Sequence, residues 1–65
     1  MRTIRQQTAY YGNNSYGHPT AQLFTEWKSG ARSGRIMERS VPCDSLDQAR
    51  AVAYGMARNV KPLPN

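Results

Sequence analysis

Little in this chain of 65 residues is equipped for covalent chemistry: it holds one cysteine, one histidine and only four acidic residues. A lone Cys43 cannot close an intrachain disulfide, and one cysteine with one histidine at no paired spacing cannot complete a closed metal site. A nucleophile and base pair of Cys43 and His18 would require the segment Gly12 to Pro19 to fold back toward the start of the helix, with no further polar group placed to orient the imidazole. Cys43 is therefore read as a small structural residue, and the chain as non-enzymatic, with no cofactor and no metal. No glycine-rich stretch has the phosphate-loop or dinucleotide form. Long apolar runs are missing too, which excludes a membrane span, and the absence of an internal repeat excludes a solenoid. Met1-Arg2-Thr3 leads into polar residues rather than an apolar signal region; together with the single cysteine this predicts a cytoplasmic protein with no membrane partner.

The scarcity of acid leaves nine Lys and Arg against four Asp and Glu, a formal charge of +5. Seven of the nine are arginine, whose planar fork suits phosphate, carboxylate and aromatic faces. Such a balance favours nucleic acid or an acidic protein surface as the partner, although a small protein also needs net charge merely to stay dissolved.

What is present organises around Ser45 to Val60. Ser45 and Gln48 have the spacing of a capping box, in which the hydroxyl accepts the Gln48 N–H and the amide reaches back. Leu46, Ala49, Val52, Ala53, Met56, Ala57 and Val60 follow at intervals of three and four, one apolar stripe of a helix. Upstream, Arg2 to Tyr11 is rich in β-branched and aromatic types and reads as a strand, with Ile4, Thr8 and Tyr10 inward and Arg5, Gln7 and Tyr11 outward. Gly12 to Pro19 is a loop by composition. Thr20 to Lys28 alternates as a second strand, Leu23 and Trp27 inward and Phe24 outward beside Tyr11 or Arg39. Ser29 to Gly34 reads as a hairpin loop of moderate length. Arg35 to Val41 is a third strand in which Ile36 and Val41 share a face only if an irregularity falls near Glu38 to Ser40. Pro42 stops it.

The expected fold is α+β: a three-stranded antiparallel β-meander with one C-terminal α-helix packed on one face, a single domain over residues 1–60 followed by an extended proline-rich tail over 61–65. Burying the stripe against Ile4, Leu23, Trp27 and Ile36 makes a small core, so the monomer is expected to be marginal, which leaves room for a homodimer through an edge strand or the open face.

Three groups of side chains are candidates for contact. Arg50, Tyr54 and Arg58 lie at intervals of four along the helix, where they would clamp a phosphate or simply form a solvated face. Arg5, Tyr11, Lys28, Arg32, Arg35 and Arg39 belong to the strands or their connections and would read phosphates and base edges, or deter edge aggregation. Tyr16, in a Tyr, Ser, Gly and Asn loop, has the composition of an adaptable contact. The layout of Trp27-Lys28 to Arg35, a further strand, and Ser45-Leu46-Asp47-Gln48-Ala49 opening a helix resembles, as a pattern over Ala21 to Val60, the small amino-terminal DNA-binding domains of tyrosine integrases and the AP2-type domains. That resemblance implies three strands backed by one helix and a sheet that enters the DNA major groove. The leading expectation is a small basic module that binds nucleic acid or a nucleoprotein complex through its sheet and loops. The other is a regulator or inhibitor, of the kind encoded by phages and mobile elements, that docks on an acidic surface of a larger host protein.

Overall fold

A computed structural model describes residues 3–64; Arg2, assigned to the first strand, and Asn65, assigned to the tail, lie outside the described residues. The order is β1 (Thr3–Asn13), β2 (Pro19–Ser29), β3 (Arg32–Pro42), α1 (Leu46–Met56) and β4 (Asn59–Pro62). The strands form one mixed sheet in the order β3-β2-β1-β4, antiparallel throughout except that β4 runs parallel to β1. The fold is α+β with the expected succession of three strands and a helix, but the sheet has four strands rather than three.

The fourth strand corrects the expected helix end. Ala57 already has extended backbone (φ −154°, ψ 161°) and caps the helix by donating its N–H to the Ala53 carbonyl. Gly55, a poor helix former, sits in the last turn. The chain then lies along the outer edge of β1, where Asn59 Nδ2 donates to Thr8 Oγ1 at 3.1 Å and the Leu63 N–H donates to the Tyr11 carbonyl at 2.8 Å. Val60 reaches the core from this strand and not from the helix. Its spacing of four from Met56 imitates one more helical turn, which is why the pattern runs on past the true end. At the other terminus the cap is as expected: Ser45 Oγ accepts the Gln48 N–H at 3.1 Å, while Gln48 Oε1 accepts the Asp44 N–H at 2.7 Å.

Alanine sets where the helix sits. Ala9 and Ala21 on the sheet meet Ala49 and Ala53 on α1, all four with no exposed surface, and Cys43 completes the cluster. Side chains this small let helix and sheet backbones approach closely, and Tyr11, Leu23, Val41, Val52, Met56 and Val60 pack around the contact. Because Ala9 faces the helix, strand alternation turns Arg5, Gln7 and Tyr11 to the helix side and Ile4, Thr8 and Tyr10 to the opposite face. This reverses the expected inward and outward sets of β1. Phe24 is on the face away from the helix as expected, but beside Tyr10 and Arg35 rather than Tyr11 or Arg39.

The irregularity foreseen in β3 is a bulge: Leu23 pairs with Arg39 and Phe24 with Met37, leaving Glu38 as the extra residue. The loop foreseen over Ser29 to Gly34 is instead a two-residue turn, Gly30-Ala31, since Ser29 pairs with Arg32. Gly30 has φ +61°, the left-handed first position that a type II′ hairpin turn requires. At the opposite end of the sheet, Asn14 Oδ1 accepts the N–H groups of Tyr16 and His18 at 2.9 and 3.0 Å and closes the loop between β1 and β2.

Eleven helical residues span about 16 Å, whereas eleven strand residues span about 36 Å. One short helix therefore covers only half of a long sheet. The other half, formed by the start of β1, the end of β2 and the start of β3, projects as a three-stranded blade, and the whole molecule measures 43 × 22 × 15 Å. Ile4 and Ile36, placed in the core by sequence pattern, lie on this blade and are 63% and 59% exposed. They lie beyond the reach of the helix.

Candidate functional site

The bare blade divides the sequence-predicted basic residues between its two faces. Cross-strand partners share a face, and the pairs Arg5 with Trp27, Trp27 with Gly34, Ser29 with Arg32 and Leu23 with Arg39 place Arg5, Arg32 and Arg39 on the helix side. The pairs Ile4 with Lys28 and Glu26 with Arg35 place Lys28 and Arg35 on the other. The single basic sheet surface expected from sequence is thus two surfaces back to back.

On the helix side, Trp27 is the centre of a shallow depression of about 510 Å³. Its lining is Thr3, Arg5, Thr25, Ser29 and Arg32, with Ile36 and Glu38 at the β3 side. Trp27 is half-buried because its indole lies over Gly34: three contiguous ring atoms fall within 3.0 Å of where a Gly34 Cβ would stand. The sheet thus seats an aromatic ring between two exposed arginines and a set of hydroxyls, on paired strands rather than on a loop. Sequence pattern assigned Trp27 to the core. The signal that it belongs to the blade is the mismatch of helix and strand lengths together with the pairing of Trp27 with a glycine.

The opposite face is covered by no helix among the described residues and carries a second cluster. Tyr10 and Phe24 meet edge to face with centroids 5.3 Å apart, the arrangement aromatic quadrupoles prefer. The Arg35 guanidinium lies 5.0 Å from the Phe24 ring centre and 5.9 Å from that of Tyr10, and the Tyr10 hydroxyl donates to Glu26 Oε1 at 3.3 Å. These contacts leave Tyr10 only 8% exposed although no helix covers it. Next to them a shallow groove of about 440 Å³ is lined by Ile4, Gln6, Lys28 and Ser33 together with Glu26 and Arg35, and it reaches Trp27 and Gly34 at the blade.

The helix residues do not form the expected row. Arg50 stands 5.6 Å from the Tyr54 ring centre, and the Tyr54 hydroxyl, with Tyr11 and Asp47 adding to it, raises the Arg50 pKa above its ordinary value. Arg58 lies past the end of α1, in the connection to β4, and does not continue the line. Tyr11 is half-buried at the edge of the core, not outward. Tyr16 is 94% exposed at the tip of the β1–β2 loop, the end of the sheet remote from Trp27.

Cys43 follows β3 directly, and its N–H donates to the carbonyl of Pro19, the first residue of β2, at 2.9 Å, which extends the ladder between the two strands. The thiol itself is buried and points to the Val41 carbonyl at 3.5 Å, whereas His18 is exposed. No group of His, Cys, Asp and Glu among the described residues is arranged to hold a metal ion, and no helix among them is long and apolar enough to cross a membrane. No protein-family model, curated protein or solved structure matches this chain.

Proposed function

We propose that the helix-side half of the blade binds nucleic acid, with Trp27 stacking on an unpaired base and Arg5, Arg32 and Arg39 contacting the flanking phosphates. The observation that carries this reading is the indole seated between Arg5 and Arg32. An aromatic face accepts any base, and basic groups around it track the backbone, so a single-stranded segment is the favoured form. Thr3, Thr25 and Ser29 add hydroxyls for sugar or phosphate oxygens.

Trp27 is the sole tryptophan, so its fluorescence reports on the site directly. Titration with a single-stranded oligonucleotide at about 50 mM salt should quench it, and added salt should reverse the effect as counterions compete. Replacing Arg5 and Arg32 by Gln should weaken binding to every sequence tried and flatten the salt dependence. Lys61 of β4 pairs with Tyr10 and so shares the opposite face with Lys28; removing the same charge from that face, with Lys28→Gln and Lys61→Gln, should do neither. An unaltered Trp27 signal with no complex formed at that salt concentration would overturn the reading.

A second reading follows from the open face, where Ile4 and Met37 are 63% and 50% exposed beside Lys28 and Arg35. Apolar and basic groups in one patch suit an acidic protein surface. Under that reading the Lys28 and Lys61 pair of variants slows association, and the Arg5 and Arg32 pair does not.

A further inference from the structure

Among the described residues the outer edge of β3 has no neighbouring strand, because β3 ends the sheet order. We infer that this edge pairs antiparallel with the β3 edge of a second copy of the chain, centred on Ile36, to give one continuous eight-stranded sheet. The inference does not depend on what the Trp27 depression binds.

The two-residue turn fixes which peptide groups are free. With Gly30-Ala31 as the loop, Ser29 and Arg32 are the hydrogen-bonded pair, and hydrogen-bonded and non-hydrogen-bonded pairs then alternate along the hairpin. Arg32, Gly34 and Ile36 therefore spend their N–H and C=O groups on β2, while Ser33, Arg35 and Met37 direct theirs outward. A long exposed edge of this kind is a template for a further strand unless side chains guard it. The guard at the middle of this one is drawn aside: Arg35 leans over Phe24, at 5.0 Å, and Tyr10, at 5.9 Å, both on strands interior to β3. Between Arg32 at one end and the Glu38 bulge with Arg39 at the other, the stretch left unguarded is Ser33, Gly34 and the exposed apolar pair Ile36 and Met37.

Charge selects the register. A twofold axis normal to the sheet pairs residues of the same face, so the centre falls on one residue. Centred on Arg35, the pairing sets Arg35 against Arg35. Centred on Met37, it opposes Arg35 to Arg39 and Ile36 to Glu38. Centred on Gly34, it opposes Arg32 to Ile36 and joins no apolar pair. Centred on Ile36, it sets Ile36 against Ile36 and Arg35 against Met37; the two Arg35 side chains are then diagonal neighbours, each leaning away over its own Phe24 and Tyr10. Glu38 then stands opposite Gly34 and diagonal to Arg32 of the second copy, within reach of a long side chain. Both Trp27 depressions fall on the same side of the joined sheet.

The test is the mass in solution together with a disulfide scan. The wild-type chain should have the mass of a dimer by light scattering, and Ile36→Lys, at a position 59% exposed in the monomer, should halve that mass while leaving the circular dichroism unchanged. Mild oxidation should crosslink Ile36→Cys rapidly, because Ile36 would face its own copy at a non-hydrogen-bonded site where side chains lie closest. Met37→Cys and Ser33→Cys should crosslink slowly or not at all; Cys43, 4% exposed, does not compete. A wild-type chain that stays monomeric up to its solubility limit overturns the inference, and so does a dimer in which Met37→Cys crosslinks faster than Ile36→Cys.

Discussion

Gly34 illustrates how one residue can hold a site without touching a ligand. An added Cβ would lie 2.6 Å from Trp27 Cζ2 and 2.8 Å from Cε2, closer than van der Waals contact permits, so the indole must leave its seat. Gly34→Ala is thus expected to shift Trp27 fluorescence and to weaken oligonucleotide binding about as much as loss of one stacked base, roughly 1–3 kcal/mol. Thermal melting should hardly change, since Gly34 lies on the blade away from the alanine core. Retained binding with a displaced indole would show that Trp27 does not stack on the ligand. Cys43 is the opposite case, a reactive type used for its size: it fills the corner between β3 and α1, and its thiol is satisfied by Val41.

At the scale of elements, the helix start was legible in sequence because Ser45 and Gln48 act locally, through hydrogen bonds within one turn. The β3 bulge was legible for a related reason, since Ile36 and Val41 lie five positions apart and can share a face only across an extra residue. What the pattern hid were relations set by length and parity. Val60 continues the helical period yet belongs to β4, and the inner face of β1 was chosen by Tyr10 and Ile4 when the residue that seats the helix is Ala9. An alanine carries almost no weight in a hydrophobic pattern, although close approach of helix to sheet depends on it. The basic side chains were correctly drawn from the strands, but their division between two faces follows from that same parity and could not be read before it. One consequence is measurable at this scale. Ser45→Ala removes the acceptor for the Gln48 N–H and should cost about 1 kcal/mol. Asn59→Ala removes the side-chain bond from β4 to Thr8, which is 1% exposed, and leaves that hydroxyl short of a partner, a cost of about 1–3 kcal/mol. If denaturant midpoints fell for Ser45→Ala but not for Asn59→Ala, the side-chain bond from β4 to Thr8 would contribute nothing, and β4 would be held by its ladder and Val60 alone.

The molecule as a whole has two ends with different duties. Every residue of the alanine cluster lies at the end covered by α1, and so do the β4 ladder and the Gly12 contact with Leu63, where a Cβ would come within 2.9 Å of the Leu63 side chain. The blade has paired backbone but no covered core. Local opening should therefore cost least where few apolar contacts back the ladder, and amide exchange should be graded along each strand rather than uniform across it. In β1, the amides that face β2 are those of Ile4, Gln6, Thr8 and Tyr10, and Ile4 and Gln6 should exchange well before Thr8 and Tyr10; in β2, Trp27 and Lys28 should exchange well before Ala21 and Leu23. The β3 amides sharpen the comparison, since Ser33, Arg35 and Met37 point away from β2 and are protected only if something pairs with that edge. Exchange measured across a dilution series would follow their protection falling as a dimer dissociates, with Arg32, Gly34 and Ile36 less affected. Uniform protection along β1 and β2 would mean that the blade is stabilised from outside the monomer along its faces, and the division of labour between a packed end and a projecting end would not hold.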